Sequence, residues 1–269
     1  MKWVADTTGR FKRRPYYAPE ELDSECERIV TEFLFKKYGA ARFPLSTDDL
    51  SVLVERDTSD LDLFADLSRD GGDVEGTTDF FPHKKPAVKI ARELSLESEK
   101  QPRLRTTLAH EYGHVKFHNF LWGLEPPPKP PPDMMQKLVS QRKAVTRMRR
   151  KLSPERYRGQ PDGGGSGIMA LAAAARMISC PRGRIIQAPA SDWMEWQAGY
   201  ASGALLMPFS VVRSIAGEGN KAVPADSARA HELVNKVAAA CDVSAEAAAI
   251  RLQKLNIILQ SSEEAFPSP

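Results

Sequence analysis

Cysteine is scarce in this chain of 269 residues. There are three, Cys26, Cys180 and Cys241, far apart and odd in number. That speaks against a disulfide framework and fits a reducing compartment. Long apolar runs are missing as well. No stretch approaches the roughly 18 apolar residues of a membrane span, and even IMALAAAARMI is too short. The opening MKWVADTTGRFKRRPYY has no apolar h-region, so it does not read as a signal peptide. The expectation is a cytoplasmic protein with no membrane partner. Net charge is also small, +3, which by itself implies no nucleic acid.

What is present points to a folded body. At 42% hydrophobic residues the chain can bury a sizeable core, as one large domain or two small ones. The charge is unevenly placed. Between Met134 and Arg158 nine basic residues face the single Glu155, so this segment carries +8 and leaves −5 for the rest. A run of six prolines in seven positions precedes it, and GQPDGGGSG follows it. The first cannot form helix or central strand and makes a stiff spacer; the second is a flexible linker. Residues 123–166 therefore read as a basic insertion. Three readings apply to it: a solvated charged helix, a dock for an acidic partner or substrate, or a nucleic-acid contact with steep salt dependence.

The pattern divides the remainder. Residues 1–17 are basic and turn-rich and read as a loose arm. Residues 18–122 begin with a helix over APEELDSECERIVTEFLFKKYG, with Pro19 and acids in its first turn and Gly39 at its exit. STDDLSVLVER reads as a second helix capped by Ser46 or Thr47. Three short runs, LDLFADLS, VEGTTDFF and PAVKIAREL, are divided by turn signals and predict a small, mostly antiparallel sheet of about three strands. A long helix follows, from Glu99 or Pro102 to Asn119. Residues 167–216 open with IMALAAAARMISC, which fits helix or strand, and continue with a helix over SDWMEWQAGYASGALLMP and a short one after it. Residues 217–258 form two helices about a turn at Asp242 to Ser244, with a helix-turn-helix texture, and 259–269 read as a disordered tail. The fold class is α+β with a helical C-terminal half.

A scarce residue, histidine, carries the sharpest signal. Three of five histidines fall within TLAHEYGHVKFH, Thr107 to His118. Residues four apart share one helix face, so His110 and His114 can offer two imidazole nitrogens to one ion. Glu111 sits one step round, beside the ion rather than on it. This is the H-E-x-x-H arrangement, in which zinc lowers the pKa of a bound water to about 7 and the glutamate takes its proton. Chance gives such a pattern in about one chain in a hundred of this composition. The competing reading is a helix with surface histidines. Leu108, Val115 and Phe117 oppose it, because they make the helix at least half buried, and unpaired buried imidazoles are costly.

Two ligands do not hold zinc. A third His six residues after the second is excluded, since positions 117 and 120 are both Phe. His118 lies about 12 Å from His110 along the axis, so it reads as a neighbour of the ligands, a substrate contact or a satisfied interior histidine. Glu195 is the best third ligand. It is flanked by Met194 and Trp196 and shares a face with Ala198, Gly199 and Ser202, small residues that would let its helix approach the histidine helix closely. An acid on such a seam needs a cation. The alternative is a first-turn glutamate serving the helix dipole. Tyr112, Tyr200 and His118 are candidates to stabilise an oxyanion.

LAHEYGHVKFH followed downstream by MEWQAGYASGALLMP resembles the ImmA/IrrE family of cytoplasmic metallo-endopeptidases, over about 20–120 and 168–257. The resemblance implies a zincin-like peptidase domain, His110, His114 and Glu195 as metal ligands, and Glu111 as general base. It also implies cleavage of a regulatory protein, a helix-turn-helix repressor first of all, and a sheet edge ahead of the metal helix to which a peptide adds as a strand. Zinc is the expected ion; manganese or iron would use the same ligands. Two positions depart from the family pattern: Gly199 stands where Asn or Asp is usual, and Ala201 where Phe is usual. The halves also lie about 80 residues apart, much farther than in compact members. The competing function is a non-enzymatic regulator that binds DNA or protein and keeps the metal for structure. Direct DNA binding by the C-terminal helices is the weaker expectation, because Arg251 and Lys254 are opposed by Glu246 and are few.

Overall fold

The computed structural model describes residues 1–71, 73–124, 177–217 and 222–259. The basic insertion beyond residue 124 and the tail from 260 lie outside the described residues, as do the readings placed on them. The described part is α+β and mainly helical. Among the described residues no helix is long and apolar enough to cross a membrane.

The first finding corrects the sequence reading of residues 1–17. They form a hairpin, β1 (Lys2–Ala5) antiparallel to β2 (Arg13–Tyr16). The Asp6 carboxylate holds the turn by accepting from the Thr8 and Phe11 amides, both at 2.9 Å. Phe11 is then buried among Trp122, Trp193 and Ile178. Basic composition suggested a solvated arm, but Phe11 anchors the hairpin and two of its cations turn inward, Arg10 to Met194 Sδ at 3.0 Å and Arg14 over the Trp193 ring, 5.7 Å from its centroid.

Helix α1 (Pro19–Tyr38) and helix α2 (Thr47–Asp57) appear where the pattern placed them. Glu21 reaches back to the Ala18 amide at 2.9 Å, and Gly39 adopts the left-handed conformation (φ 72°) that ends the helix. Ser46 caps α2 by accepting from the Asp49 amide at 3.1 Å.

The sheet has four strands rather than about three. β3 (Asp60–Ala65), β4 (Val74–Asp79), β5 (Ala87–Ala91) and β6 (Met177–Pro181) lie in the order β3-β5-β4-β6. β3 and β5 are parallel; the two other pairings are antiparallel, so the sheet is mostly antiparallel as expected. The fourth strand comes from the end of IMALAAAARMISC, the segment whose pattern fitted helix or strand. Its partner β4 is about a hundred residues earlier, and such long-range pairing leaves no local signal.

After α3 (Arg92–Leu96) and a short 3-10 turn, α4 (Gln101–His118) crosses the sheet. It is followed by α5 (Leu121–Leu124), and beyond β6 by α6 (Arg182–Gln187) and α7 (Trp193–Leu206). Among the described residues the most extensive packing is α4 on α7. Small residues make it possible: a Cβ at Gly113 would lie 3.0 Å from Ala198 Cα. Ser202 also donates to the Thr106 carbonyl at 3.0 Å across the seam.

Helices α8 (Phe209–Ala216), α9 (Ala228–Cys241) and α10 (Ala245–Lys254) complete the helical C-terminal half. Two buried arginines bind the last pair to the body. Arg105 of α4 donates to the Asp242 and Cys241 carbonyls at 2.9 and 3.2 Å, satisfying the open end of α9. Arg251 of α10 pairs with Asp23 at 2.6 Å and donates to the Met207 carbonyl. Lys254 lies over the Tyr200 ring, 5.4 Å from its centroid. Both cations that a recognition helix would show to DNA are thus turned towards the protein.

Candidate metal centre

Four buried side chains converge: His110 and His114 from α4, Glu195 from the first turn of α7, and Cys180 from β6. Their ligating atoms all lie within 4.8 Å of one another. His110 Nε2 is 3.2 Å from His114 Nε2 and 3.1 Å from Glu195 Oε2. His114 Nε2 is 3.4 Å from Glu195 Oε1 and 3.5 Å from Cys180 Sγ. Bonds of about 2.0 Å to N or O and about 2.3 Å to S, at tetrahedral angles, put neighbouring donors about 3.3 and about 3.5 Å apart. The contacts among His110, His114 and Glu195 and the His114–Cys180 contact are close to those separations, while Cys180 Sγ to Glu195 Oε1 is longer, 3.9 Å. Its chemistry agrees: two imidazoles, a carboxylate and a thiol, buried together, would be satisfied by one divalent cation.

Hydrogen bonds prepare His114 for that task. Gln197 donates its amide to the Pro15 carbonyl at 2.9 Å, which turns its Oε1 to His118 Nε2 at 3.0 Å. His118 must therefore carry its proton on Nε2. Its Nδ1, facing His114 Nδ1 at 2.9 Å, accepts, so His114 carries its proton on Nδ1. The lone pair of His114 Nε2 is left pointing into the cluster. Burial, with His114 beside it, holds the His118 pKa well below the usual histidine range, so it stays neutral and can play this part.

The field at the centre attracts positive charge. Burial opposes protonation of His114, yet the Glu195 carboxylate outweighs it and raises the pKa. Burial likewise opposes ionisation of Glu195, but the two histidines overcome it and hold the carboxyl far below its ordinary value. The Cys180 thiol is pushed up by burial and by Glu111 and Glu195.

Glu111 stands beside this set rather than in it. Its Oε2 accepts from Thr78 Oγ1 of β4 at 2.6 Å, while Oε1 is buried with no partner. Burial raises its pKa against the pull of His114 and His110. Gly76 makes the position possible, because any Cβ there would overlap the carboxylate.

The sequence reading of His110, His114, Glu111 and Glu195 as neighbours is matched by their positions. His118 lies against the Nδ1 side of His114, away from the nitrogen that faces the cluster. Two tyrosines are corrections. The Tyr112 hydroxyl donates to Asp57 Oδ2 at 2.7 Å, tying α4 to α2. The Tyr200 hydroxyl donates to Asp23 Oδ2 at 2.9 Å, on the α1 side. Neither reaches the cluster, because each leaves its helix on the face opposite or oblique to the ligands. Gly199, where the resembled family has Asn or Asp, borders His110 Nδ1, and that nitrogen is buried without a partner. Cys180 was missed: a lone cysteine in an ambiguous apolar run has no ligand spacing to announce it.

Compared with known proteins, the chain matches no protein-family model and no curated protein sequence.

Proposed function

We propose that this chain is a zinc-dependent endopeptidase of the ImmA/IrrE type, with a zincin-like domain, which cleaves a regulatory protein of the helix-turn-helix repressor class. The carrying observation is Glu111, an acid buried beside the ligand set with one oxygen held by Thr78 and the other free. A metal kept for structure alone needs no such group. His110, His114 and Glu195 would hold the ion, which when bound supplies Lewis-acid polarisation of a carbonyl and activation of water.

The chain's own residues do the rest. Glu111 takes a proton at Oε1 and returns it to the leaving amine, a task its raised pKa suits. Thr78 fixes the carboxylate rotamer. His118 and Gln197 fix the tautomer and ring plane of His114. The edge strand on this side of the sheet is β6, so β4 would align an extended peptide by backbone pairing only with β6 displaced from it.

One observation favours the second reading, a non-enzymatic regulator: Cys180 completes four donors, as in a closed structural site. Glu111→Gln separates the two. It keeps the shape and should keep one metal per chain while cutting hydrolysis by about 10²–10⁴-fold. The assay uses labelled casein and a candidate repressor with metal-loaded protein. Equal cleavage by parent and variant, or none by the parent and none by Cys180→Ala, sinks the peptidase reading.

A further inference from the structure

We infer that β6 holds the centre shut, with Cys180 as fourth ligand to the ion and the strand itself lying on the sheet edge that an extended peptide would need. Two independent observations carry this. The first is the thiol's position, 3.5 Å from His114 Nε2 and 3.9 Å from Glu195 Oε1, at the remaining corner of the donor set. The second is the strand ladder. β4 has β5 on one side and β6 on the other, so its outer backbone groups are already paired.

The register ties the two together. Cys180 lies opposite Gly76, and Ile178 opposite Thr78. Directly paired residues present their side chains on one face. The face of β4 that makes room for Glu111 at Gly76, and orients it through Thr78, is therefore the face on which β6 sets down its thiol. His110, Glu111, His114 and Cys180 are all 0% exposed and Glu195 is 3% exposed. No substrate atom reaches Glu111 in this closed arrangement, and β6 is the strand that covers the Gly76–Thr78 face beside it.

Coordination replaces the S–H bond of Cys180 by a bond to the ion, and the proton passes to solvent. The position a reacting water would need is then filled. Loss of β6 from the edge frees that position and the pairing groups of β4 together, so one movement opens both halves of the site. This inference needs only the metal centre; the peptidase reading enters only in what the closure prevents.

The test uses the full chain loaded with cobalt(II), whose spectrum reports sulfur ligation. The parent should show a thiolate-to-cobalt charge-transfer band and no response to acetohydroxamate, a small chelating probe. Cys180→Ala should still bind one cobalt, lose the band, and change its visible spectrum when the probe is added. Cys180→Ser serves the same purpose if the alanine variant folds poorly. A parent that binds one cobalt without the band overturns the inference, as does a band that persists in both variants. If the spectra come out as expected and neither protein cleaves casein, the closure stands and the peptidase reading falls. If the parent cleaves casein without the band, the peptidase reading stands and the closure falls.

Discussion

Gly76 and Glu111 share one volume: the space where residue 76 would carry a Cβ is filled by the carboxylate of residue 111. A glycine in the middle of a strand costs about 0.5–1 kcal/mol relative to alanine, and here that cost leaves room for a buried acid. The strand and the helix are thereby matched at one point, and everything proposed for Glu111 depends on that match.

Gly76→Ala should expel the carboxylate from its place against Thr78. Overpacking of this kind costs about 1–3 kcal/mol, so the variant should still fold. We expect one metal per chain, because no ligand is touched, and hydrolysis reduced nearly as far as in Glu111→Gln. Metal content with casein cleavage checks it; full activity in the variant would show that Glu111 acts from elsewhere.

The Gln197–His118–His114 relay leads to a different expectation. Gln197→Leu removes the group that fixes the His118 tautomer while leaving every ligand in place. Partners of this kind are worth about 10–100-fold in metal affinity. Competition against a chromophoric chelator should show a loss of that size. Unchanged affinity would mean that His114 finds its tautomer unaided.

Acid sensitivity should have a source outside the cluster. Burial raises the Asp49 pKa, but Lys37 at 2.6 Å, the Ser46 cap and Tyr38 outweigh it, and the folded value falls below the ordinary 3.8. A depressed folded pKa adds stability that is fully present above the unfolded value and is lost as pH falls through the folded one. Chemical denaturation at pH 7 and below pH 3.8 should therefore show a smaller gap between parent and Asp49→Asn in acid. A gap that stays constant with pH would remove Asp49 from the account.

Much of the centre could be read from the sequence, for local reasons. His110, Glu111 and His114 lie within one helical turn and a step, and Glu195 sits on a stripe of small residues that the α4–α7 seam uses. Helices α1 and α2 announce their own ends through Pro19, Gly39 and Ser46. What could not be read was made by distant pairing. Met177 to Pro181 is too short for periodicity to decide, and its register with β4 is set by tertiary packing. The hairpin of residues 1–17 did leave a signal in Asp6-Thr7-Thr8-Gly9 between aromatic flanks, but its charge concealed it. Tyr112 and Tyr200 went astray because closeness in sequence to a ligand says nothing about which face of a helix a side chain leaves.

The four donors come from α4, β6 and α7, and this has a consequence for the chain as a polymer. An ion that joins His114 to Cys180 is a cross-link spanning 66 residues. In the unfolded chain the entropy of closing such a loop grows only logarithmically, by about 0.6 kcal/mol for each doubling of length. Such an ion would therefore tether the two halves at nearly the same cost whether the intervening sequence is short or long. The length of the intervening sequence thus matters little to such a tether, while the helix seam and the strand ladder keep the donors in register.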